Sequence, residues 1–275
     1  MSDKLTTCFL ISVYINDNFE DFKIAINSCI NQTVLVNKII IVFDGDVKEN
    51  ISNYCNNIIT HQIDIEIVKC KNNVGLGAAL NKGFEVIKED IVIRMDSDDI
   101  SRKNRVEEII NFFNKHPNIG IVGSYISEFN ETLGDMSKIR EVPLNSIKIL
   151  NQLKFSCPFN HVSVAFKFNL LPSNPYETSY YRLEDYPTWY KLLVEHKLKC
   201  ANIGKVLVDV KLGKDFLNKR KGLKLYKSWF KVYLVMYNDN FINLLFFLRN
   251  IIIRFIQFNL LPKRILTEMY NLTRK

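Results

Sequence analysis

No two of the six cysteines (Cys8, Cys29, Cys55, Cys70, Cys157 and Cys200) have the CxxC spacing of a zinc or dithiol site. Several lie in apolar runs, where a free thiol behaves as a small buried hydrophobe, so reduced core cysteines of a cytosolic chain are expected. No secretory signal is expected, since the apolar stretch in MSDKLTTCFLISVYIND is too short and too soon broken. The chain has no internal repeat and no low-complexity tract, which excludes a largely disordered protein. It has neither a P-loop nor a GxGxxG fingerprint. Acidic residues are nearly absent from the C-terminal quarter, where 3 stand against 14 lysines and arginines, while the preceding residues hold 26 against 23. A nucleic-acid surface wants its basic residues on the folded body, and this body is slightly acidic, so no nucleic-acid partner is expected. A basic, apolar tail suits an anionic lipid surface.

What is present is a chain of 275 residues, 47% hydrophobic, enough for one large α/β domain plus an appendage. TCFLISVY, KIIIVFDGD, IDIEIVKC, IVIRMDSDD and NIGIVGSYI read as strands. Between them run helical patterns: Phe19, Phe22, Ile26, Cys29 and Ile30 after Asn16 and Asp17 as caps, then GLGAALNKGFEVIKED, then RKNRVEEIINFFNKH. The region from 125 to 180 is less regular, with HVSVAF as its one strand candidate. LEDYPTWYKLLVEHK reads as a helix with acids at its start, VLVDVK as a last strand, and two helical segments follow Lys211. Alternating strands and helices predict a mostly parallel sheet with helices on both faces. Ligands bind such sheets beyond the carboxyl ends of the strands, where Asp44, Asp46, Asp96, Asp98 and Asp99 gather.

The run RMDSDD puts three carboxylates within four residues, a repulsive arrangement that a hard divalent cation would relieve. Such an ion would bridge diphosphate oxygens. The alternative is acids at a helix start. Asp44-Gly45-Asp46 offers a carboxylate to a nucleobase N–H, or is an ordinary Asp-Gly turn. Asn72 to Gly77 opens a helix whose N-terminal N–H groups face an anion, or is a plain capped turn. Glu184 and Asp185 supply a general base or cap a helix; His161 contacts a ligand or is structural.

In order, ISVYIND, FDGD, NVGLGAALNKG, RMDSDDI, NHVSVAF and LEDYPTWYKLL resemble the family 2 glycosyltransferases of GT-A fold, from about Phe9 to Val210. The nearest likeness is to bacterial enzymes that build O-antigen or capsule units. The resemblance implies a Rossmann-like α/β domain over 1–212 and an inverting transfer from a UDP-sugar to a hydroxyl of a lipid-linked (polyprenyl diphosphate) saccharide. It implies Mn²⁺ or Mg²⁺, with Asp98 of the Asp96-Ser97-Asp98 pattern as ligand. Val13 and Tyr14 would lie against the base, which Asp44 would bind. Asn73, Gly75 and Asn81 would shape the ribose and sugar side. Asp96 would bind ribose or donor sugar, Asp99 would touch the donor sugar or support the residues that do, and His161 would lie near the acceptor. Asp185 would be the base, with Glu184 beside it and Trp189 packed behind. Asp46 and Val162 depart from the family pattern, which often has Ser or Thr and Pro there. A nucleotidyltransferase would want a basic glycine-rich loop after the first strand, which ISVYINDN lacks; a non-catalytic scaffold would not need Asp44, Asp98 and Asp185 together.

The segment 213–275 is expected as a basic, apolar helical appendage. Residues 241–261 are interrupted by Arg249, Arg254 and Gln257, and a central arginine costs about 2.5–3.5 kcal/mol on insertion, so an interfacial or packed helix is expected rather than a spanning one. Its apolar face would hold Phe241, Leu245, Leu248, Ile252 and Phe255, with the basic stretch from Lys219 to Lys231 nearby. A peripheral position at the cytoplasmic face of the membrane follows, with removal from Asn240 onward sparing turnover. The alternative is packing on the catalytic domain or on a second copy of the chain.

Overall fold

The computed structural model describes residues 5–58, 60–136, 138–213, 222–272 and 274. Strands β1 (Thr7–Val13), β2 (Lys38–Phe43), β3 (Asp64–Lys69) and β4 (Ile91–Met95) form a parallel half-sheet in the order β3-β2-β1-β4. The sheet continues through β8 (Ala165–Lys167), β6 (Ile121–Phe129), β9 (Cys200–Lys211) and the short β5 (Ile100–Ser101), with β7 (Lys138–Arg140) paired to β6. β8 is antiparallel to both β4 and β6, whereas β6 and β9 run parallel. The result is the expected mixed, mostly parallel sheet.

Both faces of the sheet are covered. Along β1 the side chains alternate, as the pleat requires. Cys8 and Leu10 enter one core with Val42, Leu80 and Trp189, while Phe9, Ile11 and Val13 enter the other with Phe22, Ile41, Val106 and Phe113. The second core is roofed by α1 (Phe19–Ile30), α2 (Glu49–Asn57) and α4 (Arg105–Lys115). The first lies under α3 (Leu76–Phe84), α5 (Ser146–Leu153) and α6 (Asp185–Tyr190). Burial on both faces explains why the strands read as continuous apolar runs rather than alternating ones.

Some local expectations change. Asn18, not Asn16 or Asp17, caps α1, its side chain accepting from the N–H groups of Glu20 and Asp21. Only the second half of HVSVAF is strand: His161–Ser163 form a single 3₁₀ turn that enters β8. α6 passes into a π-helical turn at Lys191–Glu195.

After β9, three helices rather than two stand among the described residues: α7 (Leu223–Asn238), α8 (Leu244–Phe255) and α9 (Lys263–Leu272). Residues 214–221, which include the first three of the basic stretch Lys219 to Lys231, lie outside the described residues. Trp229 and Tyr233 of α7 are buried in the first core, with Trp229 4.6 Å from Tyr186 between ring centroids. Asn250 of α8 donates to the Lys154 carbonyl at 2.7 Å, and Tyr233 to the Phe155 carbonyl at 2.9 Å. Arg274 pairs with Glu128 in a contact where both side chains are nearly sealed from water. One side of this segment is therefore packed on the catalytic body. The other side leaves Leu245, Leu248, Ile252 and Phe255 exposed, while Phe241 is turned in against Tyr190. Among the described residues no helix is long and apolar enough to cross a membrane.

Candidate active site

Four loops at the carboxyl ends of the parallel strands β1 to β4 build the first part of the site. The loop after β2 carries Asp44, 4% exposed, whose carboxylate accepts from the N–H groups of Val74 at 2.6 Å and Gly75 at 3.1 Å. Asn73 returns a longer bond from its side chain to the Asp44 carbonyl. Gly45 and Gly75 both have positive φ, and a Cβ on Gly45 would sit 2.6 Å from the Asn73 nitrogen. Asp44 thus clasps two loops and fixes the N-terminus of α3. Its remaining lone pairs are what a nucleobase could use.

The loop after β4 carries the acids. Arg94, 1% exposed, forks onto both oxygens of Asp96. Asp99 is buried and turned away from the loop's mouth, accepting from the Lys211 N–H at 2.8 Å, so it ties the loop to β9 rather than reaching a donor sugar. Asp98 points out. Partial desolvation, then the charges of Asp96, Asp17 and Asp21, push its carboxyl from an ordinary 3.8 up to about 7. Its tip is open to solvent, which screens these charges in part. Asp17 enters this crowd from the loop after β1, held by Ser97 Oγ at 2.8 Å and the Tyr14 N–H at 3.1 Å. Tyr14 is exposed beside it, but Val13 is sealed in the core; the pleat of β1 turns its side chain away from any base.

No three His, Cys, Asp or Glu side chains converge on a point that would cage a metal by themselves among the described residues. A magnesium-like ion does not need that, because it binds through one or two carboxylates plus substrate phosphates. An outward carboxylate in a net-negative crowd fits such an ion.

Across a cleft of about 470 Å³ from Arg94 and Asp96 stand Glu184 and Asp185. Gly77 of α3 lets this segment approach: a Cβ there would lie 3.2 Å from the Glu184 Cβ. Burial, and then the Asp185 charge, raise the Glu184 carboxyl to about 6. Asp185 is aimed by two bonds, accepting from the Tyr186 N–H at 2.7 Å and the Cys157 thiol at 3.2 Å. Burial, then Asp185 itself, keep that thiol well above its ordinary value, so it stays a donor. Trp189, fully buried, donates to the same sulfur at 3.1 Å and packs behind the helix start as expected.

His161 faces the cleft with Nε2 3.0 Å from the Tyr176 hydroxyl. Burial, helped by Arg94, holds it well below its ordinary value, hence neutral at pH 7. Asn81 does not reach the cleft: both ends of its amide are spent on the backbone of Tyr176, at 2.9 and 3.0 Å. It shapes the site by fixing Tyr176.

The far wall of the cleft comes from the C-terminal segment, through Leu225, Trp229, Arg254, Gln257 and Phe258. None of these is a site residue expected from the sequence. Arg140 and Arg182 line the cleft as well. The available signal was the set of polar interruptions in an apolar helix, Arg254 and Gln257 among them.

Residues 8–171 match glycosyl transferase family 2. The chain belongs to that family. An Escherichia coli UDP-Gal:alpha-D-GlcNAc-diphosphoundecaprenol beta-1,3-galactosyltransferase is 36% identical over 246 residues, which cover 89% of this chain and 88% of that protein. The amylovoran biosynthesis glycosyltransferase AmsE of Erwinia amylovora is 31% identical, covering 97% and 98%. Among solved structures, S. aureus TarS in complex with UDP-GlcNAc superposes with a TM-score of 0.65 at 15% identity, over 92% of this chain and 73% of that one, a likeness of fold. The protein is a glycosyltransferase, and a nucleotidyltransferase reading is set aside.

Proposed function

We propose that this glycosyltransferase moves a sugar from a UDP-sugar to a hydroxyl of a saccharide carried on a lipid diphosphate, with inversion, during synthesis of a bacterial surface polysaccharide. The observation that carries the reading is the cleft that opposes Asp96 and its neighbours to Glu184 and Asp185, in a chain 36% identical to a transferase whose name gives UDP-Gal and a diphosphoundecaprenol-linked acceptor.

Tyr14 and Asp44 would receive the base, with Asn73 and Gly75 shaping that side. Asp96, held by Arg94, would orient the ribose or sugar. Asp98 would hold a divalent ion, Mn²⁺ or Mg²⁺, which when bound offsets charge on the departing diphosphate. Asp185 takes the proton of the acceptor hydroxyl as that oxygen bonds to the anomeric carbon. The bond from the anomeric carbon to the diphosphate breaks on the opposite face, and UDP leaves with its electron pair. Neutral His161 would orient the acceptor without adding charge.

The exposed stripe Leu245, Leu248, Ile252 and Phe255, on a strongly basic segment, is read as a peripheral contact with an anionic membrane at its cytoplasmic face, where such acceptors reside. The test is to incubate the purified protein with Mn²⁺, a panel of nucleotide sugars and a sugar-diphosphate-alkyl acceptor, then measure nucleotide release. Acceptor-dependent release of UDP is expected. Release of another nucleotide alone, or of none across the panel, overturns the reading.

A further inference from the structure

The cleft does not end at Asp185. Beyond it lies a second cavity of about 390 Å³, and the two share Arg140, Cys157, Trp229, Arg254 and Gln257 as a common wall. Moving along this continuous space, the lining changes in a definite order. Carboxylates come first, from Asp96, Glu184 and Asp185. Guanidinium groups follow, from Arg140 and Arg254. The far end is mixed: Leu266 and Met269 of α9 stand beside Glu141, Tyr270 and Arg274. Met269 is exposed, and elsewhere on the same helix and on α8 so are Ile265, Leu248 and Ile252.

Arg254 is the informative group. It is half-buried and rigidly held. Nη2 donates to the Phe155 carbonyl at 3.0 Å and Nη1 to Gln257 Oε1 at 2.7 Å, and the guanidinium lies 4.0 Å over the Trp229 ring. All of these partners are neutral. Among the described residues Arg254 takes part in none of the ion pairs. A cation withdrawn from water without a counter-charge is costly, so it calls for an anion from outside the chain. A planar, pre-positioned fork suits phosphate oxygens in particular.

We propose that Arg254, with Arg140 across the shared wall, forms a subsite for the diphosphate of the lipid-linked acceptor, and that the lipid leaves over the apolar rim of α8 and α9. The inference rests on the reading of the acceptor given above and adds the residues that recognise it. The lining offers a place to each part of such a molecule: a hydroxyl-bearing saccharide at the carboxylates, a diphosphate at the arginines, and the start of a hydrocarbon chain against Leu266 and Met269. The C-terminal segment is then part of the acceptor site, whatever else it does.

The same chemistry, a diphosphate, also occurs in the donor, so the test separates the two. Binding of geranylgeranyl diphosphate, geranylgeraniol and inorganic pyrophosphate is measured by calorimetry on the full chain, and binding of UDP is measured in Mn²⁺. Arg254→Gln should weaken geranylgeranyl diphosphate about 10- to 100-fold, the range for losing a hydrogen bond to a charged group. UDP affinity should stay within about twofold. Arg254→Lys, which keeps charge but loses the fork, should fall between. Geranylgeraniol should bind more weakly than its diphosphate to the wild type, and pyrophosphate should bind and lose affinity in the Gln variant. Because Arg254 also braces Trp229, Arg140→Gln on β7 is a second variant, and it should weaken the isoprenyl diphosphate while sparing UDP. Unchanged isoprenyl diphosphate binding in both variants overturns the subsite, as does an equal loss of UDP, which would assign the cations to the donor. Binding needs no turnover, so a failed search for donor sugar leaves this result standing, and a failed subsite leaves the transferase assay untouched.

Discussion

Replacing Asp98 with asparagine removes one charge from a crowd that also holds Asp17, Asp21 and Asp96. Burial and these neighbours raise the Asp98 carboxyl from 3.8 to about 7. A group raised in this way costs nothing while protonated in both folded and unfolded chains. The cost grows as pH climbs from about 4, where the unfolded chain ionises, and is complete above about 7, where the folded chain has ionised too. A shift of that size corresponds to about 4 kcal/mol if solvent played no part. The Asp98 tip is exposed, so screening leaves roughly 1 kcal/mol. For a chain of this length that is about 2–4 °C in melting temperature. Asp98→Asn should therefore melt about 2–4 °C above wild type at pH 8 in EDTA, with most of the gain gone at pH 4.5. Adding Mn²⁺ and UDP should reverse the order at pH 8, since only the wild type has the outward carboxylate. Calorimetric melts at the two pH values, with and without ligand, check this. An Asn variant no more stable than wild type in EDTA at pH 8, or equally stabilised by Mn²⁺ and UDP, would refute the reasoning that ties the crowding of this loop to a cation.

Asp185→Asn keeps shape but cannot take a proton, so kcat should fall about 10²- to 10⁴-fold with UDP affinity unchanged, and Glu184→Gln should lose far less; a reversed pattern makes Glu184 the base. Gly45→Ala must fit a Cβ 2.6 Å from the Asn73 nitrogen at positive φ, and should cost about 2–4 kcal/mol in urea unfolding while weakening UDP through the Asp44 clasp. Removal of residues from Asn240 onward strands Glu128 without Arg274, about 3–5 kcal/mol for a buried pair, and deletes Arg254 and Phe258 from the cleft; thermal melts and turnover should both fall sharply. Quadruple replacement of Leu245, Leu248, Ile252 and Phe255 by serine should instead spare melting and abolish the part of liposome binding that salt does not remove.

The sheet was legible because β1, β2 and β4 are buried on both faces, and such strands leave dense apolar runs that end abruptly in acids. The short elements were not. β5 has two residues and β7 three, and α5 depends on a cap at Asn145 and on burial of Ile149 and Leu153, features too brief to leave a period. Site residues divide on the same physical ground. Asp98, Glu184 and Asp185 stand in or beside loops, where the sequence shows the polar residue but leaves a cap and a ligand contact both open. Val13 closes β1 and Asn81 lies within α3, where the pleat of a strand or a neighbouring backbone decides the direction of the side chain. Position along the sequence carries no information about that choice.

The C-terminal segment shows why composition alone leaves its role open between membrane contact and packing. An apolar helix broken by Arg249, Arg254 and Gln257 has two solutions: bring the polar groups to water, or give them partners inside. Reading only the hydropathy favours the first, since a membrane surface accepts both kinds of residue. The chain takes both at once. Arg254 and Asn250 turn inward and are held by the carbonyls of Phe155 and Lys154, in the turn after α5. Between them Ile252 and Ile253 turn outward, while Ile251 packs on the core. A helix that were only a membrane anchor would have no reason to turn its arginine toward Trp229, and one that were only packing would have no reason to leave Leu245 75% exposed. The two faces make sense together if the segment stands between the surface where a lipid-borne substrate resides and the cleft where its sugar reacts.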